Sequence, residues 1–249
     1  HDIAADGVYI NTLSPKQQAQ YVGWQGAFYN VAKVLSQGGL VFVAGKLELT
    51  IGITEAWMVV MGLFGGILLL MGVYHSKVLP SGGSSEQVHS FGEAFNTFWN
   101  VVKSFFAKKH IYWGIAFIIL FRTAEGQLTK IVPLFMRAAR VDGGLGLSTS
   151  DIGIAYGIFG AAAFVLGSIA AGYFVANRGL KKSIFILCII FNIPDVVYAY
   201  LAFTLPESFI IICGAITLEW FGFGFGFVGV ILFMMQQIAP GKYKMAHYA

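Results

Sequence analysis

From Ile111 to Met136 the chain is apolar for the length of a bilayer crossing, yet it carries Arg122, Glu125 and Lys130 along the way. A charged side chain at mid-membrane costs about 2.5 kcal/mol or more, so three in one span must be paired or face water inside the protein. On a helical wheel Glu125 lies about 60° from Arg122, Thr129 falls between them, and Lys130 sits about 80° to the other side, which makes one polar stripe. The plain alternative is a structural Arg122–Glu125 pair at i,i+3 spacing that locks the span and nothing more. Lys130 argues against it, because a third charge needs another span, a ligand or a counter-ion.

Composition makes the bilayer reading general. The chain is 57% apolar and only 11% charged, where ordinary soluble domains carry about 25% charge. Uninterrupted apolar runs of about 20 residues recur, the length a bilayer core demands. The sequence therefore predicts an all-α membrane protein that crosses the membrane several times. The net charge of +4 does not indicate nucleic acid, since the basic residues are scattered between the runs instead of gathered on one surface. Cys188 and Cys213 lie inside apolar runs and read as small hydrophobes, not as metal or redox groups. No cofactor or metal site is expected. The chain opens without methionine or a cleavable signal pattern and stops as a new apolar stretch begins, so it reads as a piece of a longer protein.

In order, residues 1–13 read as the last turns of a span, with Asp2 and Asp6 on one face, either turned into the bundle or capping its wet end. Ser14-Pro15-Lys16 is a turn. A polar span is expected over 19–45, with Asn30, Lys33 and Gln37 inward and glycines thinning the helix for a neighbour. A polar connection over Lys46–Glu55 leads to a uniformly apolar, lipid-facing span, Ala56–Tyr74. Residues 76–110 then read as a linker. Ser90 and Glu93 suggest a capping box opening an amphipathic helix with Phe91, Phe95, Phe98, Trp99, Val102, Phe105 and Phe106 on one side. Lys103, Lys108 and Lys109 near its end suit a helix lying in the headgroup plane.

After the charged span, Thr149, Ser150 and Asp151 are possible N-caps of a span over Asp151–Ala176, in which Gly153, Gly157 and Gly160 make a close-packing face. Asn177–Lys182 is a basic hairpin. The span Ser183–Phe203 carries Asn192, Pro194 and Asp195 near its centre; proline frees a carbonyl, and an acid beside such a break suits an ion or substrate site. Its plain alternative is an acid satisfied by a neighbouring lysine. The last span, Ser208–Ile238, carries Glu219 and a run of alternating Gly and Phe. No strand precedes that run, so it is a thin or flexible helix and not a dinucleotide fingerprint.

Alternating the connections between two sides places Lys16, Lys77, Lys103, Lys108, Lys109, Arg178, Lys181, Lys182, Lys242 and Lys244 together, which makes that side cytoplasmic. Leu13-Ser14-Pro15-Lys16 is echoed by Ile238-Ala239-Pro240-Gly241-Lys242, a spacing that fits two six-helix halves related by an axis along the membrane normal.

These residues resemble the major facilitator superfamily and, within it, the AmpG-type muropeptide permeases and the related peptide-acetyl-coenzyme A transporter-like family. The matching stretches are His1–Asp6 with Leu13-Ser14-Pro15, the span from Arg122 to Phe135, and Glu219 with its glycines ahead of Met234-Met235. The segment Gly172 to Lys182 resembles that superfamily's Gly-x-Leu-Ala-Asp-Arg-x-Gly-Arg-Lys loop, with Ala176 at the acidic position. The resemblance implies a partial helical bundle running from the end of the fourth helix to the start of the eleventh. Residues 1–75 would be a remnant of the N-terminal half, 76–110 the cytoplasmic linker and 111–249 a truncated C-terminal half. It also implies a monomeric, multi-pass protein of a bacterial inner membrane that imports a cell-wall-derived sugar-peptide, driven by protons.

The leading expectation is then proton-coupled import by alternating access. Glu125, Asp195 and Glu219 are the proton-carrier candidates. Arg122, Lys130, Lys33, Asn30, Gln37, Thr129, Asp2 and Asp6 are the substrate-binding candidates, and Gly172, Arg178, Gly179, Lys181 and Lys182 form a cytoplasmic gate loop. Trp113, Trp220 and Tyr198 are possible platforms for sugar rings, although an aromatic in a span more often simply packs. Other classes are a non-transporting receptor or scaffold that keeps the charges as glue, and a carrier for another sugar or an acyl-coenzyme A. An enzyme is not expected: neither His-Glu-x-x-His nor Gly-x-Ser-x-Gly occurs.

Overall fold

The computed structural model describes residues 2–35, 40–79 and 90–248, and every regular element in them is helical. In order these are α1 (Asp2–Thr12), α2 (Pro15–Val34), α3 (Val41–Ile51), α4 (Ile53–Val78), α5 (Phe91–Phe106), α6 (Ile111–Arg137), α7 (Thr149–Ile154), α8 (Ala161–Arg178), α9 (Leu180–Asn192), α10 (Val196–Thr204), α11 (Phe209–Phe233) and α12 (Lys244–Tyr248). Three irregular turns keep neighbours continuous. A π-helical segment, Ala155–Gly160, joins α7 to α8, a 3-10 turn over Ile193–Asp195 joins α9 to α10, and a second π-helical segment, Met234–Ile238, prolongs α11.

Among the described residues four runs are long and apolar enough to cross a membrane: Ile53–Val78, Asp151–Arg178, Leu180–Thr204 and Phe209–Ile238. This is compatible with an integral membrane protein. The α6 helix is 27 residues long, yet its polar stripe dilutes it, and it joins the set only together with α5, to which it is bent by 82°. Of the span expected over 19–45, residues 36–39 lie outside the described residues; on either side of them stand α2, which holds Gln17, Gln18, Gln20, Gln25, Asn30 and Lys33, and α3, and neither by itself is a long apolar crossing. The connection expected over Lys46–Glu55 is corrected, since α3 covers most of it. The break falls at Gly52, whose φ of +91° a side chain rarely adopts.

Contacts divide the chain into two compact units, Val31–Gln87 and the remainder. α1 and most of α2 belong to the larger unit. In the smaller unit α4 is exposed along nearly its whole length, with only Ala56 and Val60 buried, as a lipid-facing helix requires.

The larger unit is built around α11, which packs most extensively against α8 and α9. In the most apolar stretch of this span 56% of residues are buried, against 11% in α4, so α11 is the central helix and α6 a flank. Its glycines make this possible. A Cβ on Gly224 would lie 2.3 Å from the Phe164 carbonyl oxygen of α8, and one on Gly222 2.4 Å from the Ile190 carbonyl oxygen of α9. Gly167 of α8 returns the contact, 2.3 Å from the carbonyl oxygen of Phe221. The close-packing face expected at Gly153, Gly157 and Gly160 is corrected: the first two face open space and only Gly160 packs, against Trp220. The π-helical segment rotates the faces on either side of it, so regular helical spacing does not carry through.

The N-cap of α7 is Ser148, one residue before the three expected. Its hydroxyl accepts from the Asp151 N–H at 3.1 Å, while an Asp151 carboxylate oxygen accepts the Ser148 N–H at 3.2 Å, a reciprocal box. At α5 Ser90 accepts from the Glu93 N–H at 3.2 Å, one arm of the expected box. The turn between α10 and α11 is held by Arg140, whose guanidinium donates to the Leu205 and Pro206 carbonyls at 2.7 and 2.8 Å. Arg140→Ala should lower stability by about 1 kcal/mol, below the usual range for bonds to a charged donor because this one is exposed. A thermal midpoint in detergent reads the change, and an unaltered midpoint would leave those bonds without net effect.

At the other end, α5 turns into α6 through His110, which takes a left-handed φ of +62°. The elbow is latched to the end of α11. Lys108 donates to the Ile238 carbonyl and, at 3.2 Å, to that of Ala239. His247 of α12 sits 3.1 Å from the Ser104 hydroxyl and 3.2 Å from the Val101 carbonyl. Burial holds both Lys108 and His247 below their ordinary pKa values.

Candidate functional site

The acids singled out in the sequence come from three different helices of the larger unit. Glu125 lies midway along α6, and its carboxylate accepts from the Arg122 guanidinium at 3.0 Å. Arg122 also lies over the Phe227 ring of α11, 5.6 Å from its centroid. Asp195 sits in the 3-10 turn that Pro194 imposes between α9 and α10. One of its carboxylate oxygens is buried with no hydrogen-bond partner. Glu219 is buried in α11 and accepts from the Tyr198 hydroxyl at 2.8 Å. The Tyr156 hydroxyl lies 3.4 Å from that of Tyr198, which extends the chain of polar groups into the π-helical segment.

Asp195 lies near Glu125, and Glu219 lies near both. Among the described residues no three His, Cys, Asp or Glu are close enough to hold a metal ion together. The three carboxylates therefore lie within electrostatic reach but beyond chelating distance. Beneath them Phe121, Phe191 and Val230 form a dry cluster with Phe117, Phe223 and Phe227, and the Phe121 and Phe191 rings are 4.7 Å apart. Ring packing there fixes α6, α9 and α11 against one another, and with them the acids they carry.

The Arg122–Glu125 pair is real, and Lys130 does not join it. Lys130 is exposed on α6, and Thr129 turns its hydroxyl back to the Glu125 carbonyl at 3.1 Å. The remaining substrate-binding candidates are not gathered here. Asn30 is buried and donates to the Gly26 carbonyl of its own helix at 3.0 Å. Lys33, expected to point inward, is exposed and belongs to the smaller unit, which begins at Val31. Gln37 and the side chain of Asp2 lie outside the described residues. Asp6 accepts from Gln25 at 3.2 Å and so ties α1 to α2.

The sequence reading did not single out Tyr156, and it named Tyr198 as a possible sugar platform with packing the plainer role. Tyr198 is buried with its hydroxyl on Glu219, so its ring is not open to a sugar. Its position three residues after Asp195, one turn along the helix from the proline break, was the available signal. Trp220 is packed by Tyr156 and Phe164, whereas Trp113 is 77% exposed at the start of α6. An apolar groove of about 660 Å3 between α8 and α11, lined by Phe159, Leu166, Cys213, Leu218 and Phe221, shares no residue with the acids.

The gate-loop candidates occupy the tight connection of α8 to α9. Gly179, at φ +78°, is the whole turn, and Arg178 stacks over Phe174 at 4.6 Å. Gly172 has another role: a Cβ there would lie 2.8 Å from the Ala19 carbonyl oxygen of α2. It is a crossing point of two helices. A scan against protein-family models and a search of curated proteins return no match for this chain.

Proposed function

We propose that this chain is part of a proton-coupled membrane carrier that imports a polar, anionic solute of the sugar-peptide class by alternating access. The resemblance to the major facilitator superfamily and its muropeptide permeases supplies the substrate class and the bacterial inner membrane. One observation carries the reading: Glu125, Asp195 and Glu219 come near one another from three elements, with Arg122 paired to Glu125. Carboxylates brought together in this way favour a proton on one of them. Arg122 is then the anchor for an anionic group, released from Glu125 when that acid protonates.

The test uses the full-length protein in sealed vesicles, with uptake of labelled anhydro-muropeptide followed with and without a pH gradient. Accumulation that needs the gradient supports the carrier; binding without accumulation supports the receptor or scaffold, a reading that the self-contained Arg122–Glu125 pair favours. Glu125→Gln should lose gradient-driven accumulation and keep exchange. Undiminished accumulation would take Glu125 off the proton path.

A further inference from the structure

The most exposed aromatic surface in the larger unit belongs to α5. Phe91, Phe95, Phe98, Trp99 and Phe106 are between 48% and 89% exposed, and no residue of the helix is buried. Such a stripe needs a cover, and three independent features say what covers it. The 82° bend to α6 sets α5 nearly perpendicular to a helix of spanning length, so that when α6 runs along the membrane normal α5 lies in the membrane plane. The first turn of α6 carries Tyr112 and Trp113, 69% and 77% exposed, and Phe106 meets Tyr112 with ring centroids 6.2 Å apart. Exposed Tyr and Trp at the end of a spanning helix mark the headgroup level, and the stripe is continuous with them. The rim of the stripe is basic: Lys103 lies over the Trp99 ring at 5.8 Å, and Lys109 and His110 are exposed beside it. The one acid on the helix, Glu93, is in its first turn, far from those lysines.

We propose that α5 is a membrane-surface helix, its aromatic stripe sunk at the headgroup–acyl boundary of an anionic leaflet and its Lys103 and Lys109 taking the lipid phosphates. Lys108 is not a lipid ligand, because it donates to the Ile238 and Ala239 carbonyls. Together with His247 on Ser104 it makes the surface helix a fixed support for the end of α11. Neither the cover nor the support depends on what the protein carries.

The experiment places a single environment-sensitive probe on the full-length protein in vesicles of phosphatidylcholine and phosphatidylglycerol, with Cys188 and Cys213 replaced by Ala. Probes at Phe95→Cys and Phe98→Cys should be quenched by lipids spin-labelled near the headgroup about threefold more than probes at Asn96→Cys and Asn100→Cys, with the order reversed for aqueous iodide. Lys103→Gln with Lys109→Gln should lower the preference for quenching by spin-labelled phosphatidylglycerol over phosphatidylcholine, by up to about fivefold for each lysine at the surface. Equal iodide quenching on both faces would overturn the proposal by showing a solvated helix. A Phe98→Cys probe shielded from both quenchers, or one that crosslinks to a second copy, would overturn it by showing a protein cover. Native Trp99, read by brominated lipid in a variant with the other tryptophans replaced by Phe, gives the same decision if the labelled forms do not fold.

Discussion

Glu219→Gln is expected to leave solute exchange across vesicle membranes intact and to abolish accumulation against a gradient. Glu219 is buried, and its carboxylate accepts from the Tyr198 hydroxyl at 2.8 Å. A glutamine has the same shape and still offers an oxygen to that hydroxyl, so α10 and α11 keep their contact. What it lacks is a proton to gain and lose. A gradient of one pH unit is worth about 1.4 kcal/mol for each proton carried, which sustains about tenfold accumulation. The variant should therefore fall from about tenfold to parity under that gradient, while counterflow of labelled for unlabelled solute continues. Tyr198→Phe is the companion. It removes the hydroxyl that orients Glu219 without removing the acid, so it should shift the pH at which uptake is half-maximal and leave the final accumulation ratio unchanged. Undiminished accumulation by Glu219→Gln would exclude Glu219 as the carrier of the proton and leave it as a buried partner of Tyr198.

Apolar length and proline were legible in the sequence because they act locally. The apolar run inside α4, the break at Pro194 and a tight connection between α8 and α9 each follow from chain chemistry within a few residues. The acids were legible for the same reason, since a carboxylate in an apolar run stands out whatever surrounds it. What the sequence did not disclose is which helix lies at the centre. The charged α6 stood out as a pattern, but charge at i,i+3 is settled between Arg122 and Glu125 themselves. The element that organises the larger unit is α11, whose alternation of glycine and phenylalanine is a statement about neighbours that a single helix does not contain.

Two kinds of residue slipped past the pattern for physical reasons. Tyr156 sits in a π-helical segment, where the wider turn moves side chains off the positions that regular spacing assigns. Lys33 looked central because the run around it was taken as one span. Lys33 belongs to the smaller unit, which begins at Val31, and it is exposed. Polar spacing along a helix fixes which residues share a face, and only packing decides where that face points.

The largest structural effect is expected at Gly224. A methyl group added there would lie 2.3 Å from the Phe164 carbonyl oxygen and 2.9 Å from its carbonyl carbon, both backbone atoms of α8. No rotamer relieves that contact, so the two helices must separate, and with them Gly167 loses its fit against Phe221. Overpacking of this kind costs about 1–3 kcal/mol for a single methyl where neighbours can shift, and more where they cannot. Gly224→Ala should therefore unfold at a markedly lower temperature in detergent. The control is ten residues away on the same helix. Gly214 is exposed with open space around its Cβ position, so Gly214→Ala brings only the helix-propensity gain of up to about 1 kcal/mol. Opposite signs from one substitution type on one helix separate packing from propensity. Equal midpoints for the two variants would mean that α11 is not wedged between α8 and α9, and the acids it helps to assemble would have to be placed by some other contact.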